Sequence, residues 1–257
     1  MSFSAISYAL VEQFPDVAQS IRRLNEENYT DPHIEFHAVR GSHLLCGVAG
    51  THNISALKRM LTYYGIPQED YDRALANACA INDCASIELL LEDGNANIGA
   101  GDSCVLRWAC SQGRIDIVQM LMKRSCNPAA KENEAFRVAC VNGFTEIVDI
   151  LLKDSRVNPC DKENEAFVSA CKHGHTTIVK RLIRLVRLGE EGEYALRYAC
   201  AKGHVDIVRL ILTCTNIDPS LRGNLALKWA NTLYNMNSSA CAKEIIDMLV
   251  NDPRTRR

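Results

Sequence analysis

The sequence has no excess of charge of either sign. Its 29 Lys and Arg nearly balance 31 Asp and Glu, giving a net charge of −2 over 257 residues. No global field therefore selects nucleic acid or an anionic membrane as partner. The chain also lacks any apolar run near the roughly 18 residues that a membrane span needs. Its opening stretch, MSFSAISYALVEQF, has no basic leader, and Glu12 interrupts its apolar residues, so no targeting segment is read there. At 47% apolar and 23% charged residues the composition is that of a folded globular protein, which excludes a disordered chain. These absences predict a soluble, cytoplasmic protein.

What the chain has in quantity is cysteine, twelve in all, and five of them recur in one phrase. Cys79, Cys110, Cys140, Cys171 and Cys200 each follow an Ala, in ALANACAIND, VLRWACSQGR, AFRVACVNGF, AFVSACKHGH and ALRYACAKGH, at steps of 31, 30, 31 and 29 residues. A repeat of this length is one supersecondary unit that cannot bury its own apolar face, so several must stack. With the recurring cysteine as anchor, Gly follows three residues later at Gly113, Gly143, Gly174 and Gly203. Paired aliphatics follow at Ile117–Val118, Ile147–Val148, Ile178–Val179 and Ile207–Val208. Apolar residues at steps of three and four mark amphipathic helices, and the Gly between them permits a sharp turn. Each unit is therefore expected to be helix, tight turn, helix. Seven residues before the anchor stand Asp72, Ser103, Asn133, Asn164, Glu193 and Asn224, mostly N-cap formers, which are expected to start the first helix.

The frame extends outward, with Ala49 in the anchor slot upstream and Asn231 downstream, where the second helix, Ile245 to Val250, arrives about seven residues late. Seven units are expected, near 42–71, 72–102, 103–132, 133–163, 164–192, 193–223 and 224–250, behind a helical cap and polar connector in 1–41 and before a polar tail in 251–257. Anchor cysteines in adjacent units would lie one helix spacing apart, about 8–10 Å. A disulfide needs Cα atoms within about 7 Å, so these are read as small buried thiols in a reducing compartment. Of the cysteines off the slot, Cys126 and Cys160 are the better candidates for surface thiols.

The phrase ALRYACAKGHVDIVRLIL resembles the ankyrin repeat, T-P-L-H-x-A-A-x-x-G-H-x-x-V-V-x-x-L-L. Ala199-Cys200 stands for A-A and Gly203-His204 for G-H, while Ile207-Val208 and Ile211-Leu212 match the second helix; Gly174-His175 repeats the match. The resemblance covers about residues 42–250. It departs from the family in its shorter period and in the missing T-P pair, replaced by Glu134-Ala135, Glu165-Ala166 and Tyr194-Ala195. The phrase VNPCDKENEAF (Val157 to Phe167) resembles the short repeats of amoebae, their giant viruses and amoeba-dwelling bacteria. That implies a protein at work in a eukaryotic cytosol, as an effector if it is exported. The resemblance implies an all-α ankyrin-type solenoid with shortened fingers. It also implies a concave groove lined by the residues just after each anchor: Ala80-Ile81, Ser111-Gln112, Val141-Asn142, Lys172-His173 and Ala201-Lys202. His175 and His204 are then expected to bond neighbouring backbone.

Other side chains present alternatives. Arg107, Arg137, Arg197 and Lys228 share the slot three before the anchor; this ladder either meets an acidic partner or pairs locally, as Arg137 with Glu134 would. Trp108, Tyr198 and Trp229, two before the anchor, form either an aromatic binding stripe or, the favoured reading, partly buried packing within the stack. The run Lys180 to Arg187 reads as the basic solvent face of a second helix, with an anionic lipid as its alternative use. His33, His37, His43, Cys46 and His52 are the densest ligand-type cluster, but their spacing matches no closed zinc motif, so neither metal nor cofactor is expected. The resulting expectation is a non-catalytic, monomeric adaptor that binds another protein through the groove, with no nucleic-acid partner and no membrane insertion. A cryptic activity in the N-terminal segment and an anionic lipid or nucleic-acid dock on the arginine ladder stand as alternatives.

Overall fold

A computed structural model of the chain describes residues 44–62, 66–124, 126–214 and 217–256. The expected cap and connector in 1–41, with His33, His37 and His43, lie outside the described residues. Those residues form helix pairs throughout and contain no strand. The unit ending at Asn127 holds α1 (Leu44–Ala49), α2 (Ile54–Leu61), α3 (Gln68–Ala80), α4 (Cys84–Asp93), α5 (Ala100–Ser111) and α6 (Ile115–Met122). The unit from Pro128 holds α7 (Ala130–Asn142), α8 (Thr145–Leu151), α9 (Asp161–His173), α10 (Thr176–Leu182), α11 (Glu190–Lys202), α12 (Val205–Leu212), α13 (Leu221–Asn237) and α14 (Ala240–Asn251). Within each unit the first helix of a pair packs against the first helix of the next, as α7 does on α9 and α9 on α11.

The core follows the repeat. From α3 to α11 each first helix buries positions five, four and one before the anchor together with the anchor itself, whereas α13 buries only Ala226 and Ala230. The four are Ala135, Phe136, Ala139 and Cys140 in α7, Ala166, Phe167, Ala170 and Cys171 in α9, and Ala195, Leu196, Ala199 and Cys200 in α11. Such a set is one stripe of a helix with 3.6 residues per turn. Each second helix adds a triplet, such as Ile117, Val118 and Leu121, or Ile147, Val148 and Leu151, all fully buried. Every side chain of this size contributes about 1.5–3 kcal/mol on leaving water. The small Ala-Cys pairs let consecutive first helices approach closely.

The anchor cysteines are free and buried. Burial pushes the thiols of Cys79, Cys110 and Cys200 up to about 12, with like charge on neighbouring thiols a smaller cause at Cys79 and Cys110. Burial drives Cys140 and Cys171 higher still. A thiolate is the reactive form, so the anchors are inert packing. The expected surface thiols need correction. Cys126 is buried at 1% exposure and Cys160 is half-buried, whereas Cys104 and Cys241 are the exposed ones.

The turn after each first helix is a left-handed residue. Gly143, Gly174 and Gly203 have φ of 79°, 82° and 75°, and the next N–H closes onto the helix: Phe144 on Ala139 O (3.0 Å), His175 on Ala170 O (3.0 Å), His204 on Ala199 O (2.9 Å). This is a Schellman-type cap. The following repeat leans on these turns. His175 Nε2 bonds Val141 O at 2.8 Å and His204 Nε2 bonds Lys172 O at 3.2 Å, as expected for the Gly-His pair. A Cβ on Gly143 would lie 2.5 Å from the His175 ring, and one on Gly174 2.8 Å from the His204 ring. In the last pair Tyr234 occupies the glycine slot, so α13 runs on to Asn237 and Ser238 supplies the left-handed end (φ 49°). This extra length explains why the second helix arrives late.

The expected N-caps are also corrected. Pro67, Gly99, Ala129, Cys160, Gly189 and Ser220 precede the first helices, and none makes a side-chain cap. Lys131–Asn133, Lys162–Asn164 and Arg222–Asn224 instead form left-handed turns, with φ between 49° and 67°. Left-handed backbone costs roughly 1–2 kcal/mol per non-glycine residue and is best tolerated by Asn. The polar side chains in the expected cap slot reach forward to the next turn. Asp72 accepts Asn97 N–H (2.7 Å), Ser103 accepts Asn127 N–H (3.3 Å) and Asn133 accepts Asn158 N–H (3.1 Å) while also bonding the Asp161 carboxylate. Asn164 donates to Arg187 O (3.0 Å). At the end of the chain Arg254 donates to the carbonyls of Leu212 (2.8 Å), Cys214 (2.8 Å) and Ile217 (2.9 Å), so the polar segment 251–257 is tied to the preceding turn.

Three outcomes follow for stability. Gly143→Ala should lower the urea-unfolding free energy by about 2 kcal/mol, since it adds a left-handed alanine and displaces a ring. Gly203→Ala, whose Cβ meets Leu233 Cδ2 at 3.3 Å and Cys241 Cβ at 3.8 Å, should cost about half as much; equal losses would remove the role given to His175. Asn133→Ala should cost about 1 kcal/mol, because it removes the acceptor of the part-buried Asn158 N–H, and hydrogen exchange at the Asn158 amide should rise with it. Finally, the anchor thiols have raised folded values, so they stay protonated where an unfolded chain would ionise. Their contribution is complete below about pH 9 and is lost as pH climbs toward 12, at about 1.4 kcal/mol per thiol per pH unit. Thermal midpoints should fall steeply above pH 9, and less steeply in Cys140→Ala/Cys171→Ala.

Candidate functional site

A first helix that buries four positions leaves the complementary four facing outward. These are the slots three and two before the anchor and one and two after it. In α7 they hold Arg137, Val138, Val141 and Asn142; in α9, Val168, Ser169, Lys172 and His173; in α11, Arg197, Tyr198, Ala201 and Lys202. Each is half-buried or exposed. In the unit ending at Asn127, α5 shows Arg107, Trp108, Ser111 and, at its end, Gln112 in the same slots, with Gln112 exposed. Every residue expected in the groove therefore lies on this outward face. The turn glycine sets where the face ends, because it stops each helix one residue beyond the last of these slots.

Within the unit from Pro128 the face is concave. A cavity of about 400 Å³ is lined by Lys172, Arg197, Tyr198, Ala201, Lys202 and Trp229. Four of these were expected in the groove. Tyr198 and Trp229 were read as partly buried packing, and the structure corrects that: Tyr198 is 40% exposed and Trp229 48%. The recurrence of aromatics two before the anchor was the signal for them. That slot belongs to the outward stripe, not to the core stripe beside it. Lys172 Nζ lies 5.5 Å from the centre of the Tyr198 ring. The Arg197 guanidinium stacks on Tyr194 at 4.3 Å, with Arg222 also over that ring at 5.3 Å. His173 is held by Ser169 O (2.9 Å) and lies beside His175, ring centres 6.1 Å apart.

The unit ending at Asn127 has its own cavity of about 320 Å³, lined by Ala76, Cys79, Ala80, Cys104, Val105 and Trp108. It carries no charged lining residue. Trp108 is half-buried there, so of the three aromatics it alone keeps the partly buried position.

The arginine ladder is not chemically uniform. Arg137 makes an ion pair with Glu165 of the following repeat and donates to Glu132 O at 3.1 Å, so the pairing shown crosses a repeat boundary. The basic run is corrected as well: α10 stops at Leu182, leaving Arg184 and Arg187 outside it. Arg181 forks onto Asp149 of the preceding repeat, with Nη2 to Oδ2 at 2.7 Å. His52 lies 3.1 Å from Asp83, and Cys46 Sγ points at Arg73 O at 3.8 Å, so these two members of the ligand-type cluster meet different neighbours. Among the described residues no helix is long and apolar enough to cross a membrane.

The repeats match known proteins at two levels. A family model described as ankyrin repeats (3 copies) matches residues 135–223 and 170–253. Among solved structures, the ankyrin repeat domain of human ASB11 superposes with a TM-score of 0.60 at 20% identity, covering 79% of this chain and 96% of that domain. A search of curated proteins finds no match in sequence. Ankyrin repeats are in general protein-binding modules, on a fold that is typically non-catalytic. With the helix pairs, the Gly-His turns and the family model in agreement, residues 135–253 are ankyrin repeats and the chain has the ankyrin-repeat fold.

Proposed function

We propose that the chain is a non-catalytic adaptor that binds a partner protein through the outward face of its first helices. One observation carries this reading: every residue lining the 400 Å³ cavity comes from slots that the core does not use. Core slots stay apolar from repeat to repeat, Ala and Cys with aliphatics or Phe. The outward slots vary among Lys, His, Ser, Val, Asn, Arg and Tyr. A rigid frame with freely varied surface positions is what recognition by repeats requires. Exposed Tyr and Trp beside Arg are also the residue types that dominate binding energy at protein interfaces. The resemblance of Val157 to Phe167 to short repeats of amoebae, their giant viruses and amoeba-dwelling bacteria supports a site of action in a eukaryotic cytosol, as an effector if exported.

Ala201→Trp should fill the cavity without touching the core, and Asn142→Glu/His173→Glu should reverse the polarity of the adjoining slots. Proteins retained from lysate by the unaltered chain, quantified by mass spectrometry, should fall at least about ten-fold on both variants, with unfolding midpoints unchanged. Retention of the same proteins at the same level would exclude the groove as the binding surface.

A further inference from the structure

The cavity in the unit from Pro128 is cationic in a way that the rest of the chain does not balance. Lys172, Arg197 and Lys202 are half of its lining, and no lining residue is acidic. Elsewhere in this unit several exposed cations pair across repeats, Arg181 with Asp149, Arg209 with Glu244, Lys162 with Glu132 and Arg222 with Glu190, while the cations of the cavity stand together on one face. Among the described residues, Lys172, Arg197 and Lys202 form no ion pair. Arg197 Nε is moreover buried with no hydrogen-bond acceptor, although its guanidinium is held flat by Tyr194.

Between these charges lie Tyr198 and Trp229, large, apolar and open to solvent. A lone phosphate would be served by donors converging on one point, but here the cations surround aromatic surface. The matching ligand has the reverse pattern, with carboxylates around an apolar side chain. We propose, resting on the groove reading above, that this cavity takes an acidic peptide segment of the partner protein. Its apolar side chain packs on Tyr198 and Trp229, and its Asp and Glu carboxylates meet Lys172, Arg197 and Lys202. The chain's net charge of −2 sets up no global field, so an acidic segment is selected locally, by the charge of this face.

The probe is a labelled peptide with a central Leu-Phe pair flanked by Asp and Glu, measured by fluorescence anisotropy against its Asn and Gln counterpart. The acidic peptide should bind at least ten-fold tighter, and the difference should shrink as salt rises. Lys172→Gln/Lys202→Gln should lower its affinity about ten-fold, two charge contacts of this exposure being worth that much together. Tyr198→Ser should weaken both peptides alike. Equal binding of the two peptides, no binding of either, or tighter binding of an oligothymidylate or of phosphatidylserine vesicles would each overturn the proposal. The two readings fail separately. If Ala201→Trp abolishes partner retention and Lys172→Gln/Lys202→Gln leaves it intact, the groove stands and the acidic ligand falls. If Ala201→Trp changes nothing, the groove itself falls.

Discussion

The close approach of successive first helices at the Ala-Cys slot is the constraint on which the rest depends. A larger side chain at Ala139, Cys140, Ala170 or Cys171 would hold the helices apart, and none of these four positions exposes any surface. Close approach makes the interior dry. The same dryness keeps the anchor thiols protonated, since burial is the leading cause of their raised values. Cysteine serves here as a small apolar residue with a polarizable atom. Its recurrence at the anchor slot is a consequence of repetition.

Packing of smooth apolar faces does not by itself set register between one repeat and the next, and directional bonds supply it. His175 reaches back to Val141 O, and Asn133 reaches forward to the Asn158 amide. Each of these contacts needs an unusual backbone nearby. The histidine ring fits because Gly143 has no Cβ, and Asn133 is aimed forward because Lys131 to Asn133 turn left-handed. The local strain is therefore spent on positions where one repeat grips another. Exposed ion pairs such as Arg209 with Glu244 add little, being solvated.

The repeat, its two helices and the turn between them were legible in the sequence because their signals are periodic and steric. The Gly at each turn and the aliphatic pairs recur in register, and only one packing satisfies them together. The slot holding Asn133 and Asn164 misled because a polar residue near a helix start resembles an N-cap. Its true partner sits about 25 residues onward, where local propensity carries no information. The aromatics misled for a different reason. Trp229 and Tyr198 lie beside the core stripe in sequence, yet one step along a helix turns a side chain by 100° and out of the core. Cys126 and Cys160 flank equivalent turns, yet Cys126 is buried and Cys160 only half-buried, a difference that residue type and turn position do not encode.

One repeat geometry presents different chemistry in the two units. The outward slots that hold Ala76, Ala80 and Trp108 in an uncharged cavity hold Arg197, Lys172 and Tyr198 in a cationic one. The frame does not dictate this difference, since Lys172 and Ala80 both follow an anchor that packs identically. Exposed slots tolerate either residue at a cost within about half a kcal/mol. Folding therefore places no brake on their chemistry. Lys172, Arg197 and Lys202 line one cavity although no contact of the core requires a cation at any of their slots, so their charge is a free choice that the frame permits and does not impose.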